Sequence, residues 1–109
     1  MIRAEFYKDA RDGRLIGFSC IGHAGFADSG RDIVCSAVSA LTLSCVNSVT
    51  ELTEDHATVS ESDGKLSCMV DAPVGPESEL LLRSLQLALT TIAEDYPRNV
   101  KVTVKCLFD

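Results

Sequence analysis

The sequence lacks the long apolar segments that membrane insertion or secretion requires. Its longest apolar run is only a few residues, against the roughly 20 needed for a spanning helix. Residues 1–9 carry charged side chains throughout, so no secretory signal is expected there. We therefore predict a cytoplasmic protein with no membrane partner.

Positive charge is also scarce. Ten Lys and Arg stand against sixteen Asp and Glu, which gives a net charge of −6, and the basic residues form no run. Because nucleic-acid interfaces carry clustered positive charge, direct RNA or DNA binding is disfavoured. The chain also lacks a Walker loop and a Gly-x-Gly-x-x-Gly motif, so no nucleotide cofactor is predicted.

Paired cysteines are missing as well. The chain has five cysteines, an odd number, and none of them forms a Cys-x-x-Cys pair. This pattern argues against a disulfide framework and fits a reducing cytoplasm. Each cysteine is then a core residue, a metal ligand or a nucleophile. Cys68 and Cys106 fall inside predicted strands and are expected to fill the core.

The hydrophobic pattern predicts one α+β domain spanning residues 1–109. Alternating segments predict strands, and apolar residues spaced three and four apart predict two helices. The resulting order is ββαββαβ. We expect a two-layer α/β sandwich in which both helices cover one face of a mixed sheet. The predicted elements are strands near 2–7, 14–21, 56–61, 66–71 and 100–106, and helices near 33–53 and 76–96.

The strongest local constellation joins His23 to Cys35. His23 directly follows a predicted strand, and Cys35 lies in the first turn of a helix that Asp32 is expected to cap. The positive helix start favours a thiolate, and a nearby imidazole could shuttle protons. Backbone N–H groups at that helix start could stabilise an oxyanion. Ser39 and Thr42 are expected to continue a polar face along the same helix.

The residue pattern alone leaves two other interpretations open. Buried cysteines are common and inert, so Cys35 could be a core residue beside a loop histidine. Alternatively, Cys20, His23 and Cys35 could hold a metal or form a redox site. Structural zinc usually uses paired Cys-x2–4-Cys ligands, so the metal fit is poor.

Two segments resemble the signature of the ribosomal-processing cysteine protease Prp family. Gly22-His23-Ala24 matches its G-H-A element, and residues 30–39 match its glycine-containing loop and D-[IL]-[VI]-C-x-x-x-S helix start. The similarity covers essentially the whole chain. It implies a cytoplasmic, homodimeric cysteine endopeptidase of ribosome biogenesis that needs no metal or cofactor.

The implied substrate is the short N-terminal extension of large-subunit ribosomal protein L-twenty-seven. The resemblance implies that Cys35 is the nucleophile and His23 the general base and acid, with Asp32 as cap and orienting group and Ser39 in support. The alternative function is a non-catalytic ribosome-assembly binding module in which the same Cys and His are structural.

Two glycines complete the implied site. Gly22 is expected to permit the turn that presents His23, and Gly30 is expected to let the loop move. We further expect residues 24–31 to close over an extended peptide and order the site.

Overall fold

A computed structural model describes residues 1–28 and 30–109. Within these residues, five strands and two helices follow one another in the predicted ββαββαβ order. Its elements are β1 Ile2–Asp9, β2 Leu15–Ile21, α1 Ile33–Leu52, β3 Ala57–Ser62, β4 Lys65–Val70, α2 Pro76–Asp95 and β5 Val100–Leu107.

The sheet is mixed, as expected. Its strand order is β3-β4-β2-β1-β5. The hairpins β1–β2 and β3–β4 are antiparallel, and β2 pairs antiparallel with β4. In contrast, β5 runs parallel to its neighbour β1, and Val100 of β5 lies opposite Ile2 of β1. A parallel pair requires a long crossover connection, and α2 lies on the chain that returns to β5.

The core lies between the sheet and the helices. Phe6 and Phe18 are fully buried cross-strand partners whose ring centroids are 6.0 Å apart. From α1, Val34, Val38 and Val49 are among the residues that join them. This single apolar cluster fixes where α1 begins relative to the end of β2, and so positions the candidate site.

Three residues expected to face the core are exposed instead. Leu52 is 76% exposed because it is the last residue of α1, where the helix leaves the core. Val104 is 49% exposed, and Cys106 is also exposed. Burial falls along β5 because this edge strand has a neighbour on only one side. The prediction that Cys106 fills the core was therefore wrong.

The buried stripe of α2 agrees with the sequence pattern except at its start. The pattern predicts Leu81, Leu85, Ala88 or Leu89, and Ile92; Leu85 and Leu89 are buried, but Leu82 is fully buried in place of Leu81. Leu81 is only half-buried. An i, i+3, i+4 pattern that is rich in leucine does not determine by itself which neighbouring residue points inward.

By length and composition alone, α1 could cross a membrane. Its apolar face nevertheless includes buried residues such as Cys45 and Val46, which belong to the core. This is the arrangement of a core helix in a folded domain.

Candidate active site

The end of β2 and the start of α1 meet at one end of the sheet. They are joined by residues 22–32, and α1 faces the turn between β3 and β4 across a cleft of about 210 Å³. His23, Cys35 and Ser39 all line this cleft, together with Gly64 of the turn. The fold therefore brings together the two residues that the sequence singled out for catalysis.

Asp32 caps α1 as expected and also holds the preceding loop. Its Oδ1 accepts the N–H of Cys35 at 2.9 Å. Its Oδ2 accepts the N–H groups of Phe26 at 3.0 Å and Ala27 at 3.4 Å. The hydrogen bond from Cys35 is the main cause that lowers the pKa of Asp32; burial opposes it, and the two loop amides lower the pKa further. The charged carboxylate thus ties the loop to the helix start.

Cys35 is the third residue of α1 and is half-buried. Its Sγ accepts the backbone N–H of Ala24 at 3.1 Å. The helix-start amides expected to stabilise an oxyanion are engaged elsewhere, because the N–H of Cys35 bonds to the Asp32 carboxylate and that of Ser36 to the Asp32 carbonyl. The backbone donor that meets the sulfur is Ala24, which the sequence did not single out.

His23 is exposed and is presented by a glycine turn. Gly22 has φ +99°, and a Cβ there would collide with the carbonyl oxygen of Met1. The N–H of Gly22 donates to the carbonyl of Gly64 at 2.8 Å. A Cβ on Gly64 would lie 3.2 Å from Nε2 of His23, so the imidazole packs against the β3–β4 turn. Within the sequence, Gly64 is typical only of a hairpin turn.

The remaining predicted site residues differ in their surroundings. Ser39 is exposed in the cleft, one turn after Cys35. Thr42 lines the same cleft as expected but is buried there, and its hydroxyl donates to the carbonyl of Val38 at 2.9 Å. Gly30 has φ +86° in open space. Residue 29 of the expected closing loop lies outside the described residues.

Two residues at the far end of the chain also hold the loop. The side-chain amide of Asn99 donates to the carbonyl of Ala24 at 2.9 Å. The ring of Tyr96 meets that of Phe26 edge to face, with centroids 5.4 Å apart. Nothing in the local pattern around Asn99 indicated this contact, since it spans 75 residues of sequence.

Three of the other thiols lie in the core, where burial disfavours the charged form. Burial raises the pKa of Cys20 to about 11. The pKa of Cys45 rises to about 12, mainly through burial and further through Cys68. Cys20 is buried, and so is Cys68, as expected; burial raises the pKa of Cys68 too. Within residues 1–28 and 30–109, no three His, Cys, Asp or Glu side chains are grouped to hold a metal ion.

Residues 1–101 match the family described as Cysteine protease Prp. The chain belongs to the Prp family. A Bacillus subtilis relative named Ribosomal processing cysteine protease Prp is 31% identical over 113 residues, covering 98% of this chain and 100% of that protein. Because the family is a peptidase family, this Prp chain is a cysteine protease by descent.

Solved structures agree with this assignment. An essential ribosomal processing protease Prp from S. aureus, with a covalently linked product peptide, matches at a TM-score of 0.90 and 27% identity. The S. aureus Prp structure with a substrate peptide matches at a TM-score of 0.85 and 26% identity. Each match covers 96% of this chain and 100% of the other. The Prp family thus shares the α+β fold seen here.

Proposed function

We propose that this chain is the endopeptidase that removes the N-terminal extension of large-subunit ribosomal protein L-twenty-seven. Cys35 is the nucleophile, and His23 is the general base and acid. The observation that carries this proposal is that Cys35 and His23 line one open cleft. The S. aureus relatives crystallised with a substrate peptide and a covalently linked product peptide support a peptide as the ligand.

In the first half of the reaction, His23 accepts the thiol proton and Sγ of Cys35 attacks the scissile carbonyl carbon. The C–S bond forms and the carbonyl oxygen becomes negatively charged. The Ala24 N–H donates to Sγ at 3.1 Å in the resting site, and it can turn to the oxyanion as the C–S bond takes up the charge of the sulfur. His23 then protonates the leaving amine as the C–N bond breaks, which leaves a thioester on Cys35.

In the second half, water attacks the thioester and gives its proton to His23. The C–S bond breaks, the carboxyl product leaves, and His23 returns the proton to the sulfur. Asp32 keeps the Cys35 end of this arrangement fixed, because its carboxylate holds both the first turn of α1 and the loop. Ser39 lies where the peptide would pass and supports it there. These steps require no metal or organic cofactor.

The proposal also includes a homodimer and a cytoplasmic location. The helix surfaces expose apolar side chains, including Leu43 on α1 and Leu80 and Leu87 on α2. Exposed apolar side chains on the helices favour association, and we expect a homodimer. All five cysteines are free thiols, which fits a reducing cytoplasm.

Intact-mass analysis of the extended ribosomal protein tests the proposal. The native chain and a Cys106→Ala variant should each remove one discrete N-terminal segment, also in the presence of EDTA, whereas Cys35→Ala should leave the mass unchanged. Cys106 is the matched control because its thiol is exposed but does not line the cleft. An unchanged mass with all three folded, reduced proteins would instead favour the non-catalytic binding module.

A further inference from the structure

The Ala24 residue next to His23 is held through both of its backbone polar groups. Its N–H donates to Sγ of Cys35 at 3.1 Å, and its carbonyl accepts the side-chain amide of Asn99 at 2.9 Å. Ala24 itself is only 2% exposed, so water cannot readily replace either partner. Ala24 therefore links the sulfur of Cys35 to the side chain of Asn99, which lies outside the sequence motif around the site.

The backbone and the side chain of Asn99 make separate hydrogen bonds. Its carbonyl accepts the N–H of Ile2 at 2.8 Å, and its own N–H donates to the carbonyl of Tyr96 at 3.0 Å. These bonds begin β1 and close the turn before β5. They do not depend on the side chain, so a substitution at this position can remove the contact to Ala24 while the backbone bonds remain.

The direction of the Ala24 N–H matters because hydrogen bonds weaken steeply with misalignment. An N–H donor held on the sulfur also fixes the position from which the sulfur attacks. Without Asn99, the carbonyl of Ala24 would lose its partner and the peptide groups on either side of Ala24 could rotate. Both the donor to Cys35 and the attachment of His23 would then become less well fixed.

We propose that Asn99 is a positioning residue for the catalytic pair, acting through Ala24 on the sulfur of Cys35 and the backbone of His23. The inference rests on the proposed roles of Cys35 and His23. It assigns Asn99 no contact with the substrate. Its effect should appear in the chemical steps and in the reactivity of the thiol, and not in peptide binding.

Two variants, Asn99→Ala and Asn99→Asp, test this inference. The first removes the amide, and the second keeps its size but places a carboxylate, which cannot donate, against the Ala24 carbonyl. Arg98→Ala is the matched control, because Arg98 is exposed on the same turn. Iodoacetamide alkylation of Cys35 is measured in a Cys106→Ser background, and kcat and KM are measured with a peptide spanning the cleaved junction.

Both Asn99 variants should lower the alkylation rate and kcat by about tenfold, the size expected for one lost hydrogen bond. KM should stay within about twofold, and Arg98→Ala should match the native chain. Native alkylation and kcat in a folded Asn99 variant, or a change in KM alone, would overturn the proposal.

If Asn99→Ala does not fold, Asn99→Asp alone decides the question. If neither variant folds, Asn99 stabilises the fold as a whole and the proposal fails. Alkylation also separates this inference from the proposed function. A native chain that leaves the ribosomal protein intact would refute that substrate, while the dependence of Cys35 alkylation on Asn99 would still decide the positioning role.

Discussion

The carboxylate of Asp32 accepts the backbone N–H of Cys35, three residues later, at 2.9 Å. The same side chain holds the amides of Phe26 and Ala27 with its other oxygen. One carboxylate therefore fixes the first turn of α1, which carries Cys35, and the loop that follows His23. The side chain that caps α1 is therefore also the side chain that holds the loop beside the cleft.

Removal of the Asp32 carboxylate should loosen both attachments together. In Asp32→Ala, the amides of Phe26 and Cys35 lose their acceptor, so their hydrogen exchange should accelerate by at least tenfold. Peptide cleavage should fall by a similar or larger factor, while amides in the middle of β1 exchange as before. Exchange that accelerates at Cys35 alone would contradict the link between loop and helix.

Acid should destabilise the protein partly through Asp32. Its pKa is lowered in the native state, so the carboxylate contributes stability above its unfolded pKa near 3.8 and loses that contribution as the pH falls through the native value. Thermal unfolding of the native chain and of Asp32→Asn at pH 7 and pH 3 checks this. The variant should lose less stability on acidification.

The acid comparison needs a control carboxylate. Glu94→Gln, at the exposed end of α2, should lose as much stability as the native chain does. Some acid sensitivity should remain in Asp32→Asn, because a side-chain hydrogen bond from Arg11 lowers the pKa of Asp9 as well. An identical pH response in Asp32→Asn and the native chain would argue against the proposed contribution.

Only two of the five thiols should react in the folded protein. Cys35 is half-buried in the cleft and Cys106 is exposed, whereas burial raises the pKa of Cys20, Cys45 and Cys68. After brief iodoacetamide treatment at about pH 7.5, mass spectrometry should show two labels at most. Cys106→Ser should leave one label, on Cys35. Labelling of Cys20 before unfolding would contradict this assignment.

Gly22→Ala should be costly and Gly30→Ala should be milder. Both glycines have positive φ, but a Cβ at Gly22 would also strike the carbonyl of Met1, whereas Gly30 has open space around it. We expect Gly22→Ala to reduce the free energy of unfolding by about 1–3 kcal/mol, with a smaller loss for Gly30→Ala. Urea denaturation of the two variants measures the difference, and equal losses would show that backbone strain alone decides the cost.

The regular elements were predictable because their patterns are local. Strand alternation and the Asp32 cap depend on neighbouring residues, so the ββαββαβ order and the start of α1 followed from the sequence. The exposure of Val104 and Cys106 did not, because it depends on which strand lies at the edge of the sheet. That His23 and Cys35 line the same cleft was inferable from a strand end and a helix start.

The supporting contacts of the site were not predictable in the same way. Asn99 meets Ala24 across 75 residues, and Gly64 meets His23 across a different hairpin. Such contacts depend on the three-dimensional order of the strands. No spacing rule places an asparagine before β5 against a loop that precedes α1.

The contact between Asn99 and Ala24 also sets when the site can be completed during synthesis. Residues 22–35 emerge from the ribosome long before residue 99, and β5 must still be added parallel to β1 after that. A nascent chain therefore carries its thiol and imidazole without the side chain that fixes the loop between them. The contact that Asn99 makes with Ala24 is therefore among the last to form as the chain is synthesised.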